Sequence, residues 1–155
     1  MSIEKDIKQK NFRNPYNKVT VNIMFTTAWL FGKYAKILKP YNITEQQYNV
    51  LKILRERYPQ TATINFILEG MIDKMSNTSR LVDKLVLKGL VKKSKSLYDL
   101  RAVDALLTEK GIILLEELSS IIDNFENTFS GLDEDDIGSL NLLLEKIINK
   151  QSSNT

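Results

Sequence analysis

The chain of 155 residues contains no cysteine and no histidine. Without cysteine there can be no disulfide, no thiolate metal site and no cysteine-based peroxide sensor, which agrees with a reducing cytoplasmic setting. Without histidine, the commonest general base and the commonest metal ligand are both missing. Ser76, Ser79 and Ser94 therefore lack the usual partner that would make a serine nucleophilic. Gly70 and Gly89 are isolated, so no phosphate-cradling loop exists. No apolar run approaches the roughly 18 residues that a membrane span requires. The opening segment MSIEKDIKQKNFRN has no apolar centre and does not read as a signal peptide. The run Asp133-Glu134-Asp135-Asp136 is the densest acidic cluster, but consecutive helical positions point in different directions and no spaced calcium loop follows. It reads as a helix N-terminus whose dipole favours anions. Glu109, Glu116 and Glu117 lie on a helix whose other face is apolar and read as solvated charge. The expectation is a protein without metal, cofactor or catalytic activity.

Apolar residues make up 43% and charged residues 26% of the chain, ordinary for a globular protein and enough for one domain with its own core. The net charge of +3 is unevenly spread. Residues 1–73 carry +5, residues 74–101 carry +6, and residues 102–155 carry −8. The short central segment is thus the most basic, the electrostatic footprint of a polyanion binder.

That segment lies within the stretch around which the chain is organised, Ile64 to Thr108. A short apolar helix opens it, with Thr63 as N-cap. Met71 to Asp73 leave room only for a tight turn, with Asp73 capping a second helix over Met75 to Lys88. Two helices joined this closely cross steeply, as in a helix-turn-helix. On the second helix, Met75, Thr78, Val82 and Leu85 share one face with Leu81 beside them, while Ser76, Asn77, Arg80 and Lys84 occupy the other. Short polar groups near the start and cations further along suit base edges and their flanking phosphates. Gly89 is a natural left-handed residue after the helix. A basic strand through Lys92, Lys93 and Lys95 follows, then a turn at Ser96 to Leu100. A return strand carries Val103, Ala105 and Leu107 in the alternation of a half-buried strand. A hairpin after a helix-turn-helix is a wing, and residues Gln60 to Ala62 offer a third strand beside it.

Long amphipathic segments flank this unit. From about Tyr16 to Lys39, Val19, Ile23, Thr27, Leu30, Phe31, Tyr34 and Leu38 recur at helical spacing, and Met24, Phe25, Ala28 and Trp29 widen the apolar surface. Pro40 ends that helix and Asn42 takes a tight-turn position. Thr44 and Gln47 form a reciprocal capping pair for the next helix, whose core face is Tyr48, Leu51 and Leu54, and Pro59 closes it. After the wing, Thr108 caps a helix to about Phe129 with Ile112, Leu115, Leu118, Ile122 and Phe125 inward. Gly131 breaks it, and a last helix carries Ile137, Leu140, Leu143, Leu144, Ile147 and Ile148. The first, fifth and sixth helices hold more apolar surface than a small winged-helix core can absorb, which implies a dimer built from both ends of the chain.

Leu81-Val82-Asp83-Lys84-Leu85, Lys88-Gly89-Leu90-Val91, Asp99 with Arg101, and Leu107-Thr108-Glu109-Lys110-Gly111 keep their mutual spacing. Together they resemble the MarR family of bacterial transcription regulators, at motif level over roughly Ile43 to Gly111. Leu100 stands where that family usually carries a second wing arginine. The resemblance implies a mainly α fold with a small β-hairpin wing, a winged helix-turn-helix with long terminal dimerisation helices. Within a single domain over 1–155, residues 43–108 would form the winged helix-turn-helix, and 1–40 and 109–150 would form the dimerisation helices. A two-fold homodimer would set two reading helices roughly 34 Å apart on a near-palindromic stretch of double-stranded DNA. The candidate DNA-contacting residues are Lys74, Ser76, Asn77, Ser79, Arg80, Lys84, Lys92, Lys93, Lys95 and Arg101. The family pattern pairs Arg101 with a nearby carboxylate, here most simply Asp99. The resemblance also implies repression relieved by a small aromatic or anionic ligand in a pocket between the dimer helices and the winged helix, for which Phe25, Trp29 and Tyr48 are candidates. The same aromatics fit a plain core or dimer interface. A winged-helix module that binds an acidic protein instead of DNA is the competing functional class.

Overall fold

A computed structural model describes residues 5, 7–8, 11–95, 103–127 and 131–152. Its elements, in chain order, are α1 (Pro15–Leu38), a 3-10 turn (Lys39–Tyr41), α2 (Glu45–Arg57), β1 (Ala62–Thr63), α3 (Ile64–Gly70), α4 (Thr78–Leu87), β2 (Val91–Lys95), β3 (Val103–Leu107), α5 (Glu109–Glu126) and α6 (Glu134–Ser152). Backbone contacts divide the chain into two units, 1–117 and 118–155, with the boundary inside α5.

Short-range hydrogen bonds set most of the element ends. Asn14 accepts from the Asn17 amide at 2.8 Å and Pro15 stands in the first turn of α1. Asn42, at φ 55°, makes the left-handed turn after the 3-10 residues. Thr44 and Gln47 complete the expected capping box of α2: the Thr44 hydroxyl accepts from the Gln47 amide, and the Gln47 side chain accepts from the Thr44 amide, both at 3.2 Å. The Thr63 hydroxyl accepts from the Phe66 amide at 3.1 Å and starts α3. Asp133 accepts from the Asp136 amide at 2.8 Å, so the acidic run caps α6 as its sequence suggests.

The core of the first unit forms around α2. Val50, Leu51 and Leu54 on α2, Ile67 on α3, Val82 and Leu85 on α4, and Ala105 and Leu107 on β3 are all buried, with Leu38, Ile43, Met71, Leu90 and Val91 closing its edges. The three-stranded sheet has the order β1-β3-β2 and is antiparallel throughout. β2 and β3 pair from Val91 with Leu107 to Lys95 with Val103. The third strand beside the wing is Ala62–Thr63, placing Ala62 opposite Ala105 and Thr63 opposite Asp104, slightly later than the segment 60–62 expected from sequence.

β3 departs from simple alternation. Ala105 and Leu107 are buried as expected, but Val103 is exposed and Asp104 is 7% exposed. The Thr61 hydroxyl donates to Asp104 Oδ2 at 3.1 Å, while Oδ1 has no partner among the described residues. The turn at Ser96 to Leu100, Arg101 and its pairing with Asp99, and the C-terminal tail beyond 152 lie outside the described residues. So does Phe129, the expected end of α5, whose described helix stops at Glu126.

In the second unit, Leu118 and Ile122 of α5 are buried. Every α6 side chain from Glu134 to Asn149 is exposed, including Leu140, Leu142, Leu143, Ile147 and Ile148. On α1, Tyr16, Val19, Met24, Trp29 and Phe31 are likewise exposed. The apolar excess read from the sequence is therefore uncovered in the protomer.

Candidate nucleic-acid interface

The α3–α4 turn is fixed before α4 begins. The Ile72 amide donates to Asn49 Oδ1 at 2.9 Å. Asp73 accepts from the Met75 amide through Oδ1 at 3.0 Å and from Gln46 Nε2 through Oδ2 at 3.0 Å. The same Gln46 nitrogen donates to Ser76 Oγ at 3.3 Å, and the Lys74 ammonium donates to the Glu69 carbonyl. Asp73 thus organises the turn, and it does not cap α4. The cap is Asn77, whose Oδ1 accepts from the Arg80 amide at 3.1 Å, so α4 starts at Thr78 and is shorter than the span from Met75 to Lys88.

One expected core residue moves out as a result. Met75 precedes the helix instead of extending its inner face, and it is 92% exposed. Thr78, Leu81, Val82 and Leu85 form the buried face as the spacing requires. Ser79, Arg80, Asp83, Lys84 and Leu87 are exposed. The side chains of Arg80 and Lys84 make no hydrogen bond or ion pair with another described residue. Asn77 is exposed but spends its carbonyl oxygen on the cap. Ser76 is half-buried and held by Gln46.

The far end of α4 is tied to its surroundings through backbone carbonyls. Gly89 takes φ +71° and the Leu90 amide donates to the Leu85 carbonyl at 3.0 Å, which turns the chain into β2. The Lys88 ammonium donates to Gln47 Oε1 at 2.9 Å and to the Asn42 carbonyl, joining α4 to the junction between α1 and α2. Partial burial, and next the charge of Lys84 one turn earlier, lower the pKa of Lys88 from the usual lysine value.

Successive residues of a strand point to opposite sides, so Lys93 and Lys95 lie on the side of Val91 and Lys92 on the other. Lys93 is half-buried and pairs with Asp83 on α4 at 2.5 Å. Lys92 and Lys95 are exposed and unpaired among the described residues. The ion pair between Asp83 and Lys93 was not visible in the sequence, since neither residue is near the other along a helix or a strand pair. It occupies the one carboxylate on the outward face of α4 and braces that helix against β2. Of the sequence-proposed residues, then, Ser79, Arg80, Lys84, Lys92 and Lys95 are free to meet a partner. Lys74, Ser76, Asn77 and Lys93 already hold structural bonds, and Arg101 lies outside the described residues.

The aromatic candidates fall on two helices. Phe25 and Trp29 lie one turn apart on the exposed surface of α1, where the Lys33 ammonium sits 5.4 Å from the Trp29 ring. Tyr48 is half-buried on α2, with the Lys52 ammonium 6.0 Å from its ring. Among the described residues, no cluster of acidic side chains is placed to hold a metal ion and no helix is long and apolar enough to cross a membrane.

This sequence and its helix-turn-helix with a three-stranded wing match known proteins. A sequence model described as the MarR family matches residues 43–103. The regulator MgrA of Staphylococcus aureus is 31% identical over 113 residues, which is 73% of this chain and 75% of that protein. The chain belongs to the MarR family. The transcriptional repressor IacR of Pseudomonas putida is 28% identical over 131 residues, covering 79% of this chain and 77% of its own. Among solved structures, S. aureus MepR in its DNA-binding conformation superposes with a TM-score of 0.72 at 25% identity, over 86% of this chain and 98% of that one. The family match spans residues 43–103, so it falls on the winged helix-turn-helix.

Proposed function

We propose that this MarR-family transcriptional regulator acts as a cytoplasmic homodimer that holds double-stranded DNA over a near-palindromic operator. In this account α4 enters the major groove, β2 and the wing follow the adjacent phosphates, and α1, α5 and α6 build the dimer. Regulation is repression, relieved when a small aromatic or anionic ligand binds near Phe25, Trp29 and Tyr48. The protein is a regulator and not an enzyme, as its named relatives are.

The observation that carries this proposal is the outward face of α4. Arg80 and Lys84 stand exposed without a protein partner among the described residues, as do Lys92 and Lys95 on the wing strand. Unpaired, exposed cations on the reading helix and on the strand that follows it are suited to neutralise phosphates and to reach base edges. Dimerisation is supported by the apolar side chains left uncovered on α1 and α6, since patches of that kind mark interaction surfaces.

Binding to duplex DNA measured at two salt concentrations tests the assignment. Affinity should fall with salt, with a log–log slope of about −0.9 for each phosphate contacted. Replacing Lys92 and Lys95 together by alanine should flatten that slope by up to about 0.9 per lost contact and weaken operator and random duplexes alike. Tight, salt-insensitive binding to an acidic protein with no affinity for DNA would transfer the surface to the competing class.

The dimer has its own test. Removal of residues 133–155 deletes α6 and exposes whatever it covers in the assembly. An aggregating or unfolded chain is expected by light scattering and circular dichroism, and a well-folded, soluble monomer would refute the dimer.

A further inference from the structure

Ile72 and Met75 sit in the turn just before α4, and the packing of the protomer accounts for neither. Ile72 is 79% and Met75 92% exposed, whereas the neighbouring Met71 is 1% exposed. The turn is not loosely held. Its backbone is fixed by Asn49 at Ile72 and by Asp73 at Met75, and the Ser76 amide donates to the Asp73 carbonyl at 3.2 Å. A pinned turn therefore holds two large apolar side chains out in water. A single exposed apolar residue is ordinary on a protein surface. These two, however, bracket Lys74 and directly precede Asn77, Ser79 and Arg80, the start of the reading helix.

In a helix-turn-helix the N-terminal residues of the second helix meet the base edges. The major groove there presents donors, acceptors and one apolar group, the C5-methyl of thymine. An apolar side chain at that place gains nothing from phosphates, which the free Arg80 and Lys84 on the helix that follows are suited to hold. Methionine is unbranched and polarisable, and it adapts to an irregular surface such as a row of methyl groups. From this we infer that Met75, together with Ile72 three residues earlier, reads thymine methyl groups in the operator. The inference rests on the proposed docking of α4 in the major groove, and it adds a base preference to that docking: thymine at the position each side chain reaches.

The test uses the full chain and a duplex recovered by selection from a randomised pool. Each thymine of one half-site is replaced in turn by uracil, which lacks only the 5-methyl group. At one or two positions affinity should drop about fourfold, the factor that goes with one methyl-sized group left unburied. Met75→Ala or Ile72→Ala should melt like the unsubstituted protein, because neither side chain is packed. Each should bind more weakly to the thymine duplex and lose its sensitivity to uracil at the corresponding position. Tolerance of uracil at every position by the unsubstituted protein overturns the methyl contact while leaving DNA reading intact. Equal uracil sensitivity in the protein and both variants also overturns it. Failure to recover any bound duplex removes the docking of α4, and the methyl contact with it.

Discussion

Arg80→Ala should abolish most operator binding and leave the melting temperature unchanged. Two carboxylates were close enough in sequence to hold Arg80 in a purely structural role, Asp73 and Asp83. Both are engaged elsewhere: Asp73 by Gln46 and by the Met75 amide, Asp83 by Lys93. The bond that ties Arg80 to the fold is its amide, donating to Asn77 Oδ1, and alanine keeps it. The guanidinium is left to donate two parallel bonds to a guanine or to clamp a phosphate. A lost base contact costs about 1–3 kcal/mol and relaxes specificity at one base pair. The two half-sites of a dimer would double that cost. A lost phosphate contact would weaken all sequences equally, so affinities for a selected operator and a scrambled duplex separate the two roles. Selective loss on the operator with unchanged melting is the expected pattern. A lowered melting temperature with unchanged affinity per folded dimer would show that Arg80 serves the fold.

The parts of the architecture legible in the sequence are those whose cause is local. Thr44 with Gln47, Thr63, Asn42 and Gly89 each act on a backbone group a few residues away, so residue type and spacing were sufficient to place them. The buried face of α4 was legible for the same reason, since Thr78, Val82 and Leu85 follow the helical period. The period misled at Met75 because it ran on past the true helix start. Asp73 and Asn77 are both good caps by type, and the sequence does not rank them. The ranking comes from Gln46 and Asn49 on α2, which draw Asp73 and Ile72 into the turn across more than twenty residues. Asp104 was hidden in the same way: alternation marked Val103, Ala105 and Leu107 as inward. The pairing with β1 and the hydrogen bond from Thr61 bury Asp104 as well. The salt bridge between Asp83 and Lys93 divides the wing lysines into one structural and two free, a distinction invisible in a basic run. Contacts between elements thus engaged Ser76 and Lys93, while local bonds engaged Lys74 and Asn77.

Gly111→Ala should be among the most destabilising single-methyl changes in the chain, although Gly111 sits in a helix, where alanine is ordinarily the better residue by about 1 kcal/mol. A Cβ at this position would lie 2.3 Å from the Leu90 carbonyl oxygen and 3.1 Å from Leu107 Cδ2. The oxygen cannot easily give way, because three successive carbonyls at the end of α4 are bonded to the start of α5. Lys110 Nζ donates to the Lys88 carbonyl at 3.0 Å, the Thr108 hydroxyl to the Gly89 carbonyl at 2.7 Å, and the Thr108 amide to the Leu90 carbonyl at 3.1 Å. The Thr108 hydroxyl also accepts from the Gly111 amide at 3.1 Å, so displacing Gly111 disturbs the cap of α5 too. This arrangement explains why Leu107-Thr108 and Gly111 keep their spacing from Lys88-Gly89-Leu90: the second motif bonds the backbone of the first. Overpacking costs about 1–3 kcal/mol, and a lost hydrogen bond adds about 1 kcal/mol. The clash outweighs the gain in helix propensity. For a chain of this length a net loss of that size lowers the melting temperature by roughly 2–4 °C per kcal/mol. The same methyl group at Gly32 meets nothing within 4 Å in the protomer and should leave protomer stability unchanged or raised. Because hydrogen bonds join the root of the wing to the end of α4, Gly111→Ala should also weaken DNA binding below its melting temperature. Thermal melting of both alanine variants checks the argument, and a Gly111→Ala protein melting within a degree of the unsubstituted one would show that the Leu90 carbonyl is free to move.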